Sequence, residues 1–408
     1  MTRAPQLGKV LLYSHDSYGL GHLRRSLAIA RRLLGEASPP QVVLASGSPV
    51  LDRVDRPERL ITAQLPPVTK VGPEEYRPTD ALISMSLVKQ ARSAVLRDIT
   101  LRWRPDVLLV DHAPHGLKGE LLPVFDAIRS RGLPTKVVLG LRDILDEPAS
   151  VRSAWAEQGV YETLGDVYDQ VMVYGERDLF DVVGAYGIPE PLASRVEFCG
   201  YVTSEVPSGR PATGRAPAVG GHVLGTVGGG GDGVEVLAST LEAARRADLP
   251  AVLCTGPLMS AADRAVLDQA VARYRRLGQK VRVLEHVQDL PALARDARCV
   301  VSRGGYNTLC ELLALSVPVV VVPRVWPRRE QLLRARAFTE RGLVCLVDPR
   351  HDDLAGRVAA AVSGAMAGDA PARLPLDLGG ARRAVAVLAE TLGGERGTGA
   401  ALDDRIPA

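Results

Sequence analysis

Three turns in this 408-residue chain combine glycine with residues able to do chemistry. The first, Ser14-His15-Asp16-Ser17-Tyr18-Gly19-Leu20-Gly21-His22, runs straight into an amphipathic segment that opens Leu23-Arg24-Arg25. Gly19 and Gly21 let the backbone pass close to a substrate, and the free N–H groups of the helix behind them attract an anion. An imidazole at that helix mouth, His22, can act as a general base near neutral pH or donate to a phosphate oxygen. Asp16 of the same turn is counted with it as a candidate catalytic residue. The glycines alone would equally suit a tight strand-to-helix turn.

The second turn is Gly225-Thr226-Val227-Gly228-Gly229-Gly230-Gly231-Asp232-Gly233. Gly228, Gly230 and Gly233 satisfy G-x-G-x-x-G, but a dinucleotide site also needs an acidic residue after the next strand, and Leu253-Cys254-Thr255-Gly256 has none. A phosphate-sized loop is the expectation. The third turn, Ser302-Arg303-Gly304-Gly305-Tyr306-Asn307-Thr308-Leu309-Cys310-Glu311, is the most specific. Gly304 and Gly305 allow close approach, Thr308 can donate a hydroxyl within the first helical turn, and Glu311 can accept from both hydroxyls of a diol such as ribose. The alternative for Glu311 is a carboxylate that merely favours the positive helix end.

Other constellations are open to two readings. Asp111-His112-Ala113-Pro114-His115 stands at a strand end, where it fits an acceptor contact better than a metal, because Pro114 disturbs the spacing and no third ligand is evident. Arg142 and Asp143 follow a strand in a similar position. Arg324, Arg328 and Arg329 around Trp326 suit either a diphosphate or a solvated rim. Arg24, Arg25, Arg31 and Arg32 suit either anionic lipid or a charged helix face.

These turns require a scaffold of alternating strands and helices. Apolar runs at Val10–Ser14, Val42–Ala45, Val107–Asp111, Lys136–Leu139 and Gln170–Tyr174, spaced by helix-length segments such as Leu20–Leu34 and Ser84–Arg102, predict a parallel sheet covered on both faces. The pattern restarts at His222–Val227 and continues through Ala251–Thr255, Lys280–Leu284, Cys299–Ser302, Val317–Val322 and Leu343–Val347. Residues 1–205 are therefore read as one α/β domain, 206–221 as a Pro/Gly-rich linker and 222–376 as a second domain. Residues 377–394 are read as a C-terminal helix able to pack back on the first domain, and 395–408 as a flexible tail. Ligands of such doubly wound sheets sit at the strand C-terminal edges, between the domains.

Composition narrows the function classes. A hydrophobic share of 46% with 24% charged residues is globular, and 50 basic against 47 acidic residues is no nucleic-acid-binding surplus. Only six of the basic residues are lysine, a bias better ascribed to overall composition than to phosphate binding. Five scattered cysteines without C-x-x-C predict reduced thiols in a cytoplasmic protein. No secretory leader is expected, and stretches such as Leu312–Pro323 fall short of the ~20 apolar residues of a membrane span.

The Gly19-Leu20-Gly21-His22 loop, the mid-chain glycine loop, and Gly304-Gly305 through Thr308 to Glu311, followed by Pro318, Pro323 and Gln331, resemble a known family. They are similar to the GT-B glycosyltransferases related to the bacterial UDP-N-acetylglucosamine transferase of lipid-linked peptidoglycan synthesis, a family 28-like group. The resemblance runs from about Val10 to Val347 and is strongest from Cys299 to Gly342. It implies a GT-B fold and a nucleotide sugar, UDP-linked, as co-substrate without a further cofactor. On matching positions it implies that Glu311 binds the ribose and that Gly304, Gly305 and Thr308 face the diphosphate; Asn307 is counted with the donor site, as are Gly228, Gly229, Gly230 and Gly231, whose backbone N–H groups would bind phosphate. Main-chain groups at Val287 would read the uracil, and Gln331, flanked by Arg329 and Glu330, would meet the sugar. It sets His22, in the facing domain, near the acceptor hydroxyl as the base; Gly19, Gly21, Asp111, His112 and Arg142 are counted on the acceptor side, the last three from their place at the sheet edge.

Two positions depart from the family. Gly230 and Gly231 stand where a hydroxyl and an amide side chain are usual, and Glu330 replaces an expected amide. No D-x-D occurs, so helix N-termini and Arg303 are expected to stabilise the leaving diphosphate in a metal-independent, inverting displacement. The acceptor is an unidentified hydroxyl, lipid-linked acceptors at the inner face of the membrane included. Two rivals share the scaffold: a nucleotide-sugar hydrolase, whose loop also carries Gly-Leu-Gly-His followed by Arg25, and a sugar-nucleotide-binding protein without turnover.

Overall fold

Strand β1 (Lys9–Ser14) shows why the first sheet forms where it does. Val10, Leu11, Leu12 and Tyr13 are all essentially inaccessible to solvent. Val10 and Leu12 share one core with Leu23 and Leu27 of helix α1 (Gly21–Leu34), while Leu11 and Tyr13 enter a second core on the opposite face. A continuous apolar run is what a parallel strand with helices on both faces requires.

The computed structural model describes residues 7–15, 21–72, 75–80, 82–203, 221–285, 287, 289–315, 317–368 and 376–393. The first sheet adds β2 (Gln41–Ser46), β3 (Leu60–Gln64), β6 (Val107–Asp111), β7 (Lys136–Arg142), β8 (Gln170–Tyr174) and β9 (Val196–Phe198), while β4 (Val68–Lys70) and β5 (Tyr76–Pro78) form a separate antiparallel ribbon. Its all-parallel order is β3-β2-β1-β6-β7-β8-β9. The second sheet contains β10 (His222–Thr226), β11 (Ala251–Cys254), β12 (Val281–Leu284), β13 (Ala297–Ser302), β14 (Val319–Val321) and β15 (Cys345–Leu346), in the parallel order β12-β11-β10-β13-β14-β15.

The first-domain helices after α1 are α2 (Met85–Trp103), α3 (Leu122–Ser130), α4 (Pro148–Glu157), α5 (Val160–Asp166), α6 (Val182–Tyr186) and α7 (Glu190–Ala193). The second domain supplies α8 (Val234–Arg246), α9 (Ala261–Arg276), α10 (Leu290–Arg295), α11 (Tyr306–Leu313), α12 (Glu330–Glu340) and α13 (Leu354–Ala367). The last helix, α14 (Gly380–Gly393), packs on α1, β7 and β8 of the first domain with Ala384, Val385, Val387 and Leu388 buried.

In each sheet the strand order reverses once, between β1 and β6 and between β10 and β13. Those switch points open crevices at the strand C-terminal ends. His15 and Asp111 lie at the first, and the Gly228 and Gly304 turns at the second. The strands expected from apolar runs are all present, within three residues at their ends. β3, β4, β5 and β9 were not anticipated: β3 and β9 are sheet edges and β4–β5 is a three-residue ribbon, so their half-exposed residues show no apolar run. All five cysteines are free; four are buried and Cys345 is half-buried. Among the described residues no helix is long and apolar enough to cross a membrane. The expected linker is almost wholly outside the described residues, as is the expected tail.

Candidate active site

Helix α1 carries His22 at its second position and Arg25 three residues on, so both project from one face. They meet Asp111, the last residue of β6, on the neighbouring strand of the switch point. His22 Nδ1 lies 2.6 Å from Asp111 Oδ2. Arg25 Nε and Nη2 donate to Asp111 Oδ1 at 2.8 and 2.6 Å, and Nη2 also reaches Oδ2 at 2.9 Å. Burial would raise the Asp111 carboxyl, but Arg25 and His22 outweigh it and bring it down to about 2. An ionised carboxylate can only accept, so Nδ1 carries the proton it donates to Asp111. The 3.0 Å approach of Arg25 Nη2 to Nδ1 is then a by-product of both groups sharing one carboxylate. Nε2 of His22 is left as the proton acceptor, the tautomer a general base needs.

Two further histidines surround this pair. His15, His22 and His112 have ring centroids 4.9–5.9 Å apart. His112 adopts a left-handed backbone (φ 70°) that lets its N–H donate to Gly140 O at 2.8 Å. Burial, and then Arg142, hold its pKa well below the ordinary histidine value. His115 points elsewhere, its Nε2 2.7 Å from Thr163 Oγ1, so His112 and His115 do not face a common metal. Asp16 and Gly19 lie outside the described residues.

The opposite wall is built by glycine. A Cβ on Gly230 (φ 84°) would stand 2.1 Å from Thr255 O, and one on Gly256 (φ 75°) 2.4 Å from Gly228 O, so the two loops pack backbone on backbone. Gly228, Gly229 and Gly231 are exposed. Gly228 faces Thr308 Oγ1, which a Cβ there would meet at 4.0 Å, and Gly305 borders open space at the α11 N-terminus. The glycine loop and the helix mouth thus border one cradle, with the N-terminus of α11 at its edge. Glu311, one turn into α11, is 6% exposed and, among the described residues, is approached loosely by Arg24 Nη1 at 3.8 Å. Burial raises its pKa. Val287 is half-buried against the core beside α10.

Several arginines are placed differently from expectation. Arg303 does not face the cradle: it is held by Glu235 at 3.0 Å and Asp232 at 3.1 Å, behind Gly233, and so fixes the loop from outside. Arg329 turns to the first domain, pairing with Glu147 while its backbone N–H donates to Asp146 Oδ1 at 2.8 Å. Gln331 Oε1 accepts the Arg324 backbone N–H at 2.9 Å, and Arg324 Nη2 donates to Glu330 Oε1 at 2.5 Å. The four arginines of α1 each have a carboxylate nearby: Arg25 is held by the buried Asp111, while the partly exposed Arg31, Arg32 and Arg24 approach Asp55, Glu36 and Glu311.

The two walls are joined directly. Asn307 Nδ2 donates to Gly21 O at 3.0 Å, so the N-termini of α1 and α11 meet, and the Asn307 amide serves the interface rather than a diphosphate. Tyr306 lies between the guanidiniums of Arg25 and Arg334, each 5.7 Å from its ring centroid, and its hydroxyl accepts the Val202 N–H at 2.9 Å. Arg334 of α12 pairs with Asp143 of the first domain. Tyr306, Arg334 and the clamping role of Arg25 escaped the sequence reading. Arg25 alone had a local signal, being one helical turn from His22.

Four of the nine buried side-chain polar atoms that lack a partner among the described residues belong to this cleft: His112 Nδ1, Arg142 Nε, Arg324 Nε and Glu330 Oε2. Such a concentration marks a site built for a polar ligand.

Residues 238–366 match the model of the Glycosyltransferase family 28 C-terminal domain. A UDP-N-acetylglucosamine--N-acetylmuramyl-(pentapeptide) pyrophosphoryl-undecaprenol N-acetylglucosamine transferase of Lacticaseibacillus casei is 31% identical over 101 residues, 22% of this chain and 28% of that protein. The enzyme of the same name from Geobacillus thermodenitrificans is 34% identical over 101 residues, 24% and 28% of the two chains. The match spans less than a third of these relatives' length. Over 94–95% of the chain the fold is similar to CalG4, the calicheamicin glycosyltransferase (TM-score 0.61, 17% identity, 98% of that chain), and to MurG of Acinetobacter baumannii (TM-score 0.54, 14% identity, 99% of that chain). The fold is GT-B, and the resemblance read from the motifs holds for the second domain at the level of the family 28 model.

Proposed function

We propose that the protein is a glycosyltransferase that moves a sugar from a nucleotide sugar, UDP-linked, to a hydroxyl acceptor. The observation that carries this reading is the Asp111-held His22, presented by one domain directly opposite the glycine cradle and Glu311 of the other. In that arrangement Glu311 accepts from the ribose hydroxyls, and the α11 N-terminus with Thr308 and the Gly228–Gly231 loop receives the diphosphate. The sugar extends toward Glu330, whose Oε2 lacks a partner among the described residues. The acceptor hydroxyl gives its proton to His22 Nε2 as its oxygen bonds to the anomeric carbon. The bond from that carbon to phosphate breaks, and the nucleoside diphosphate leaves with the electron pair. A base and a leaving group on opposite sides of the sugar give inversion. The similarity of part of the chain to UDP-N-acetylglucosamine transferases supports a UDP-linked donor. The fold by itself does not choose a reaction, since a putative UDP-N-acetylglucosamine 2-epimerase from Listeria monocytogenes shares it at a TM-score of 0.60.

The test is saturation-transfer proton NMR with UDP-, GDP- and dTDP-sugars, combined with detection of released nucleotide. Binding of UDP-sugars with slow release in the absence of an acceptor is expected, and His22→Ala keeps the binding while abolishing release. Rapid release without an acceptor makes the protein a hydrolase. Absence of binding removes the role given to Glu311.

A further inference from the structure

Three ion pairs meet in the cleft, Arg25 with Asp111, Arg334 with Asp143 and Arg324 with Glu330. Arg142, the last residue of β7, is a fourth guanidinium among them. Its Nε is buried without a partner, and no carboxylate, carbonyl or hydroxyl among the described residues accepts from it. The charges it feels most are Glu330 and Arg334 across the interface and Arg25 and Asp143 on its own side. Each of these is already paired. Burial is the largest influence on Arg142 and lowers its pKa to about 10, so it remains a cation at neutral pH.

The polar deficit continues on both sides of it. His112 Nδ1 is buried without a partner, and the ring is neutral because burial and Arg142 depress its pKa. Glu330 Oε2 also lacks a partner. A guanidinium Nε buried without an acceptor is destabilising, and such unsatisfied groups concentrate where a ligand completes them. Arg142 has a planar fork suited to a carboxylate or phosphate, and a neutral His112 can donate beside it.

We infer that Arg142 seats an anionic group of a substrate, a carboxylate or phosphate, between the His22 base and the start of α12. This inference rests on the glycosyltransferase reading and adds that one substrate carries a negative charge beyond the nucleotide. The group belongs either to the acceptor or to the donor sugar, as in a uronic acid.

Calorimetric titration separates the cases, using inorganic phosphate against the UDP-saturated full-length protein, and UDP-glucuronate against UDP-glucose. In Arg142→Gln, UDP affinity is expected to be retained with at most a small change in thermal stability, since the buried Nε has no acceptor among the described residues to lose. A tenfold or greater loss of phosphate binding to the UDP-loaded variant assigns the anion to the acceptor. A tenfold preference for UDP-glucuronate in the wild type that disappears in the variant assigns it to the donor sugar. Arg142→Lys should restore part of either effect. Wild-type protein that binds UDP but shows neither phosphate binding nor the preference, or a variant that keeps both, overturns the inference. Failure of UDP to bind the wild type overturns the glycosyltransferase reading instead.

Discussion

Arg334 of the second domain and Asp143 of the first form a two-armed ion pair, Nε to Oδ2 and Nη2 to Oδ1, both at 2.7 Å and both sealed from solvent. The same guanidinium reaches Gly304 O at 3.3 Å, so one arginine ties the first domain to the glycine turn that opens α11. Burial opposes the charge on Arg334, and Asp143 overcomes it, raising its pKa.

Removing one partner strands the other charge in a dry interface. Arg334→Met is expected to destabilise the protein by about 3–5 kcal/mol, whereas the double variant with Asp143→Leu should recover most of that loss. Denaturant melts of the single and double variants check this. Equal loss in both would mean that the pair contributes nothing specific beyond packing.

The base assignment makes a separate demand. His22→Ala should reduce turnover by about 10²–10⁴-fold with nucleotide affinity unchanged. Asp111→Asn should lose a comparable factor because it no longer fixes the His22 tautomer, and should also be less stable, because Arg25 is left buried without its counter-ion. Full turnover in either variant would remove His22 from the mechanism.

Acid should weaken the site in a defined window. The Asp111 carboxyl is depressed to about 2 in the folded state, so its contribution is present above the unfolded value near 4 and is lost as pH falls from there through 2. Two pKa units correspond to about 2–3 kcal/mol. Stability measured between pH 6 and 2.5 should therefore fall more steeply in the wild type than in Asp111→Asn. Parallel curves would refute the linkage.

Glu311 has the opposite sign. Burial and Asp289 raise its pKa against the opposing pull of Arg24, so its ionised form costs stability at neutral pH, a cost relieved as pH falls through the raised value. Glu311→Gln should leave the unliganded protein as stable or more so. It should weaken UDP binding at least tenfold, seen as a smaller UDP-induced rise in melting temperature. Unchanged UDP affinity would show that Glu311 does not hold the ribose.

What could be read from sequence was local. Val10–Tyr13 and Val107–Val110 are apolar because both faces of a parallel strand are covered, and Gly228, Gly230, Gly233 and Gly304 occupy positive-φ positions that disfavour other residues. Those demands act within a few residues and leave a pattern in the chain. The partner of His22 left none: Asp16 is close in sequence, but the carboxylate at 2.6 Å is Asp111, 89 residues away, brought there because β6 lies beside β1. Tyr306 between Arg25 and Arg334, the diversion of Asn307 and Arg329 to the interface, and the unpaired Arg142 likewise depend on how two domains meet. Charge pairing in a buried interface is set by distance in space, and only the tertiary structure decides which side chains share it.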